Sequence, residues 1–208
     1  QCLLLVFWTL LAGAEATAAT YTNSTTTYNW IDPSTHTKVG YNTAPYKLNS
    51  CGTAPPTLDD TISDVIPIGW NFVYGITSYN SLRIETNGRV QFNNANCGAG
   101  TAIVSPTQTY TYTYPDANMN NTMKAFGVDL DPTNLVDKPN YPSAGSKTTC
   151  TNSATCYISY ASLGTAPNRQ FVVSWVNVPE WVTASNTSGS FTFQIILNED
   201  GSFVYQYK

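Results

Sequence analysis

The chain has 208 residues, a length that suits one domain of ordinary to large size. Hydrophobic residues make up 42% and aromatics 13%, enough for a substantial core, while charged residues fall to 11%, less than half the usual share. That is the composition of an exported β protein, and a net charge of −4 with no cluster of Lys or Arg excludes the electrostatic footprint of a nucleic-acid binder.

The opening QCLLLVFWTLLAGAEATAAT holds an apolar run from Cys2 to Leu11, then small residues with two A-x-A sites, Ala14-Glu15-Ala16 and Ala16-Thr17-Ala18. This pattern predicts a secretory signal peptide over residues 1–18, lacking its initiating Met and basic n-region. The run is too short to span a bilayer, so membrane contact is expected only through the signal. A buried N-terminal helix is the competing reading. Removal of the signal takes Cys2 with it and leaves Cys51, Cys97, Cys150 and Cys156. An even number in an exported chain argues for disulfides. Of three connectivities, the local one, Cys150 with Cys156 and Cys51 with Cys97, is expected. Zinc is disfavoured, because no C-x-x-C pair exists and the single histidine, His36, stands in a Thr-rich segment.

Tyr21 to Asp60 is polar and punctuated by Pro33, Pro45, Pro55 and Pro56, so short strands and loops are expected, anchored by Trp30 and Ile31. Asp59, Asp60 and Asp64 read as solvated loop carboxylates before a strand rather than as a cation site. The next stretch organises the chain. Ile66, Ile68, Trp70, Phe72 and Tyr74 alternate and predict one apolar strand face. A break is expected at Gly75 to Tyr79. Leu82 and Ile84 then alternate with Arg83 and Glu85, and Val90 and Phe92 with Arg89 and Gln91, around Asn87-Gly88. A two-residue loop would set Ile84 against Gln91, a mismatch of apolar with polar. A three-residue loop, Thr86-Asn87-Gly88, instead pairs Ile84 with Val90, Leu82 with Phe92 and Glu85 with Arg89. It also leaves Gly88 in the left-handed position of a type I turn with a G1 bulge.

Asn93 to Thr107 is a Gly- and Asn-rich loop. Tyr110, Tyr112 and Tyr114 then alternate with threonines, either as a platform for stacking sugars or, as the pattern favours, as cover for a core edge. Lys124 to Asp131 places Phe126, Val128 and Leu130 on one strand face and Asp129 and Asp131 on the other, the carboxylates about 7 Å apart. Calcium or acid–base chemistry fits that pair, but a strand end running into Pro132 fits better, since nothing supplies the remaining oxygens of a calcium shell. Leu135 to Thr155 is a long polar insertion. Tyr157 to Leu163 and Phe171 to Val178 read as strands, and the second, apolar on both faces, belongs in the middle of a sheet. Pro179-Glu180-Trp181 ends it. Finally Phe191, Phe193, Ile195 and Leu197 alternate into Glu199-Asp200-Gly201 and back through Phe203, Tyr205 and Tyr207, pairing Leu197 with Phe203, Ile195 with Tyr205 and Phe193 with Tyr207. The expected architecture is all-β: a two-layer antiparallel sandwich with long loops over residues 19–208. Its last strand runs to the end of the sequence, as in a fragment of a longer multidomain protein.

The blocks SLRIETNGRVQFNN, YPDANMNNTMKAFGVDLDP, PNRQFVVSWVNVPEW and FTFQIILNEDGSFVYQY cover most of Ile66 to Lys208. Through them the sequence resembles the N-terminal region of the MshQ family, which belongs to the mannose-sensitive haemagglutinin (MSHA) type IV pilus biogenesis cluster. More distantly it resembles the nidogen-like extracellular domain. The resemblance implies an exported module of a periplasmic, outer-surface or extracellular protein, tied to pili or adhesion, with pilus components or surface glycans as partners. It brings no catalytic residues to this chain.

Three functions compete on the residues alone. A structural or adhesive surface module without enzymatic activity or a required cofactor is the favoured one. A lectin-like domain would use Tyr110, Tyr112, Tyr114 and Trp181 for sugars, with Asp129 and Asp131 holding calcium. A glycoside hydrolase is least favoured. It would need Asp129 with Asp131, or either with Glu180, and no pattern singles such a pair out.

Overall fold

The computed structural model describes residues 20–41, 47–50, 61–93, 120–126, 130, 132, 154–179 and 190–208, with backbone alone for 41 and 47–50. Every regular element among them is a strand: β1 (Thr37–Lys38), β2 (Gly40–Tyr41), β3 (Lys47–Ser50), β4 (Thr61–Ser63), β5 (Ile66–Tyr74), β6 (Thr77–Glu85), β7 (Arg89–Gln91), β8 (Thr122–Lys124), β9 (Tyr157–Leu163), β10 (Gln170–Pro179), β11 (Ser190–Asn198) and β12 (Phe203–Tyr207).

They form two sheets that pack face to face as a sandwich. The first has five strands in the order β1-β9-β10-β11-β12, all antiparallel. β10 lies at its centre, as its two apolar faces require. The second runs β2-β3-β4-β6-β7-β8, with β5 also on β6. Its pairs are antiparallel except β2 with β3, which are parallel.

Alternation decides what faces inward. Ile66, Ile68, Trp70 and Phe72 are buried while Pro67, Gly69, Asn71 and Val73 are exposed. Leu82, Ile84, Val90 and Phe92 extend that face and meet Phe171, Val173, Trp175, Phe193, Ile195 and Leu197 from the other sheet. Each large apolar side chain so buried contributes about 1.5–3 kcal/mol. Hydrogen bonds cross the layers too: Trp175 Nε1 donates to the Thr86 carbonyl at 3.1 Å and Ser162 Oγ to the Ile68 carbonyl at 2.8 Å, while within the second sheet Tyr74 OH donates to the Thr122 carbonyl at 3.1 Å.

Both three-residue hairpins have the expected register. Ile84 pairs with Val90 and Glu85 with Arg89, with Gly88 at φ 81°. Leu197 pairs with Phe203, Ile195 with Tyr205 and Phe193 with Tyr207, with Gly201 at φ 89°. Two local expectations are corrected. The break at Gly75 to Tyr79 is a two-residue turn, Gly75-Ile76, because Tyr74 already pairs with Thr77; the irregularity lies upstream, where β5 slips register between Pro67 and Phe72. The strand expected over Lys124 to Asp131 stops at Lys124. The Gly88 carbonyl accepts from both Ala125 N (3.1 Å) and Phe126 N (3.4 Å), turning the chain over the hairpin so that Phe126 stacks on Phe193.

Candidate functional site

The slip in β5 shapes the site. Where four residues of β5 face one of β6, the two strands part on their outer side, and a cleft of about 650 Å³ opens across β5, β6 and β7. Its lining is dominated by short polar side chains: Asn71, Ser78, Asn80, Ser81 and Asn93 surround Arg83. Asn71, Ser81 and Asn93 stand at the polar phase of the alternation that sends Phe72, Leu82 and Phe92 inward, whereas Ser78 and Asn80 share the parity of Leu82 and are exposed because across the register slip it is Tyr79 that packs on the core.

Arg83 is fixed by one bond, Nη1 to the Ser63 carbonyl at 2.7 Å. Ser63 in turn accepts from Ile84 N through its Oγ at 2.8 Å, so β4 continues the edge on which β5 pairs. Below the cleft, Gln91 donates Nε2 to Glu85 Oε2 at 2.9 Å, and Glu85 pairs with Arg89, both fully buried. Lys124 is the cross-strand neighbour of Arg89. Burial, and secondarily the positive charge of Arg89, lower the pKa of its ammonium. Amides, hydroxyls and a guanidinium bind hydroxyl-bearing or anionic groups by hydrogen bonds. Such a lining can hold a ligand through hydrogen bonds.

Tyr110, Tyr112, Tyr114, Asp129, Asp131, Glu180 and Trp181 lie outside the described residues, as do Cys51, Cys97, Cys150, Asp59, Asp60 and the signal segment. Cys156 is described; it is buried and takes part in a disulfide, its partner lying outside the described residues. Asp64 is half-buried beside Ser63, whose hydroxyl donates to its carbonyl at 2.8 Å. His36 is buried in the turn before β1; burial lowers its pKa, and its Nδ1 has no hydrogen-bond partner among the described residues. No cluster of three or more His, Cys, Asp or Glu occurs among the described residues, and no described helix is long and apolar enough to cross a membrane.

The cleft was missed because its residues look like ordinary solvent-facing alternates. The signal that could have found it is three asparagines, Asn71 on β5, Asn80 on β6 and Asn93 just past β7, next to a glycine-bearing irregularity at Gly69.

A family model described as NIDO related matches residues 20–208. No curated protein and no solved structure matches the chain.

Proposed function

The chain belongs to the NIDO-related (nidogen-related) family, and on that premise we propose that it is a non-enzymatic extracellular module of a bacterial surface or pilus-associated protein. The observation that carries this reading is the family match, which spans the whole sandwich. Low charge and the signal-like opening support export, and the resemblance of four sequence blocks to the MSHA-cluster family supports the pilus setting. Fractionation of cells making the full-length protein is expected to place it in the periplasm, at the surface or in the medium. Retention in the cytoplasm refutes the proposal. In exported material Cys156 is expected to pair with Cys150 and Cys51 with Cys97; mass mapping that finds free thiols or other pairs removes that part.

The cleft favours a second reading, a lectin-like module. Amide and hydroxyl side chains grouped around one guanidinium suit the vicinal hydroxyls of a sugar. A glycan array is expected to return binders that are lost in Arg83→Ala and Asn71→Ala while the β-sheet spectrum is kept. Binders that survive both changes place recognition elsewhere, with the loop aromatics Tyr110, Tyr112, Tyr114 and Trp181 next in order. A calcium requirement in the same assay would point to Asp129 and Asp131.

A further inference from the structure

The outer face of the five-stranded sheet carries a polar row one residue wide and four strands long. Ser159, Ser174, Gln194 and Gln206 are direct cross-strand neighbours on β9, β10, β11 and β12. An outward-facing row should be wet, yet all four are at least nine-tenths buried. Part of what covers it is the segment before β1. Gln194 holds Ile31 from both sides, accepting from Ile31 N through Oε1 at 3.4 Å and donating Nε2 to the Ile31 carbonyl at 2.6 Å. Gln206 Nε2 donates to the Asn29 carbonyl at 2.9 Å. The amides also chain to each other and onward, Gln206 Nε2 to Gln194 Oε1 at 2.8 Å and Gln194 Nε2 to Ser174 Oγ at 2.9 Å. At the end of the row, Ser159 Oγ is buried with no partner among the described residues.

Two features of this contact matter. Every bond from the row to the segment goes to a main-chain atom, so the groove recognises an extended backbone rather than particular side chains. The segment is also held by few side-chain contacts. Residues 22–29 are exposed; Tyr21 has its ring 5.7 Å from that of Phe203 and 6.0 Å from that of Tyr74 and its hydroxyl accepts from Gly75 N, and the Lys208 ammonium lies over the Trp30 ring at 5.6 Å. Its connection to β1 is a local turn, with Ser34 N and Oγ donating to Asp32 at 3.0 and 2.9 Å and His36 N to the Pro33 carbonyl at 3.0 Å. The segment can therefore leave without breaking a strand pair.

We propose that this face is a strand-acceptor groove and that residues 20–31 of a second copy of the chain occupy it in an assembly. The same atoms make the same bonds whether the segment comes from its own copy or a neighbour, so exchange is governed by concentration rather than by new contacts. Because the donor and acceptor patches differ, each linked copy presents a further groove or a further segment. The linkage closes into a reciprocal dimer or runs on as a chain.

Two variants test this by complementation. Trp30→Ala with Ile31→Pro removes the N–H that Gln194 receives and blocks the donor; Gln194→Leu with Gln206→Leu blocks the acceptor. Each alone is expected to be monomeric by light scattering, and their mixture to give a 1:1 dimer. A mixture that stays monomeric while both chains keep a β-sheet spectrum overturns the proposal. Should either variant fail to fold, a labelled peptide of residues 20–33 is titrated onto the chain carrying Ile31→Pro alone, whose own segment no longer offers Gln194 its N–H, with increasing unlabelled peptide as competitor. Saturable, competed binding supports the groove, and its absence overturns it.

Discussion

Gly88 and Gly201 occupy the third position of two hairpin loops with the same register logic, yet alanine should cost very different amounts at the two sites. At Gly201, φ is 89° and an added Cβ would meet nothing closer than the Val73 carbonyl at 3.9 Å. The cost there is the left-handed backbone alone, about 1–2 kcal/mol, offset by about 0.4–1 kcal/mol from a stiffer unfolded chain, so about 1 kcal/mol net. At Gly88, φ is 81° and the Cβ would lie 2.9 Å from Phe126 Cβ, 3.0 Å from the Phe126 carbonyl and 3.1 Å from Phe193 Cζ. Phe126 is pinned by its own N–H on the Gly88 carbonyl, and Phe193 is fully buried, so neither gives way freely. Overpacking adds about 1–3 kcal/mol, for a total of about 2–4 kcal/mol at Gly88. In urea, with a slope of about 2 kcal/mol/M, Gly201→Ala should lower the midpoint by about 0.5 M and Gly88→Ala by about 1–2 M, with unchanged slopes. Equal shifts would refute the reasoning, since they would mean that the Gly88 turn does not press on the facing sheet.

Trp175→Phe keeps the ring in the core but leaves the Thr86 carbonyl without its indole donor, which should cost about 1–3 kcal/mol by urea unfolding; an unchanged midpoint would show that the bond contributes nothing. Glu85→Leu should cost about 3–5 kcal/mol because it takes a carboxylate partner from the buried Arg89 charge, whereas Glu85→Leu with Arg89→Met should recover much of that loss. A double variant no more stable than the single one would refute that reading. Stability should fall as pH drops. Asp32 is held below its ordinary range chiefly by hydrogen bonds from Ser34, Glu199 by the side-chain hydrogen bonds of Arg169, and Asp200 by those of Ser202. For these depressed carboxyls the unfolded chain binds more protons, so their contribution is complete above their ordinary values and is lost as pH falls through the folded ones. His36, depressed by burial below 6.5, acts in the same direction and begins the loss at higher pH. Urea midpoints from pH 7 to 3 should therefore decline steadily, and Glu199→Gln should flatten the acid part; a rise toward acid would contradict the assignments.

Much of the fold is legible in the residues because alternation and turn chemistry constrain each other. Pairing Ile84 with Val90 and Leu197 with Phe203 needs only the rule that apolar meets apolar, plus a glycine where φ is positive. The two apolar faces of Phe171 to Val178 place β10 at the centre. Neighbours in space, by contrast, leave no periodic trace. The Gly88 carbonyl ends β8 by taking two N–H groups, and nothing between Lys124 and Asp131 announces it. Gln194 looks solvent-facing by its phase, but its partner Ile31 is 163 residues away in sequence. The cleft depends on a slip inside β5 that leaves the in-and-out burial of Ile66 to Phe72 intact, so periodicity passes over it.

These omissions share a cause that bears on where recognition happens. A two-layer sandwich read from alternation has one buried face per sheet, whereas here polar rows are buried on both outer faces. Ser159, Ser174, Gln194 and Gln206 form one row, and Glu85 and Arg89, flanked by the half-buried Lys124, the other. The first is neutral and its amides are matched by a backbone, so it selects an extended polypeptide of any sequence. Among the described residues the second row brings Arg89 and Lys124 beside Glu85, and burial lowers the pKa of the Lys124 ammonium. A ligand arriving at the adjoining cleft meets Arg83 above that row, in a chain whose net charge is −4. The Arg83 guanidinium favours a hydroxyl-rich ligand that also carries negative charge, and binding there should weaken as salt rises. Affinity indifferent to salt would instead assign recognition to the amides alone.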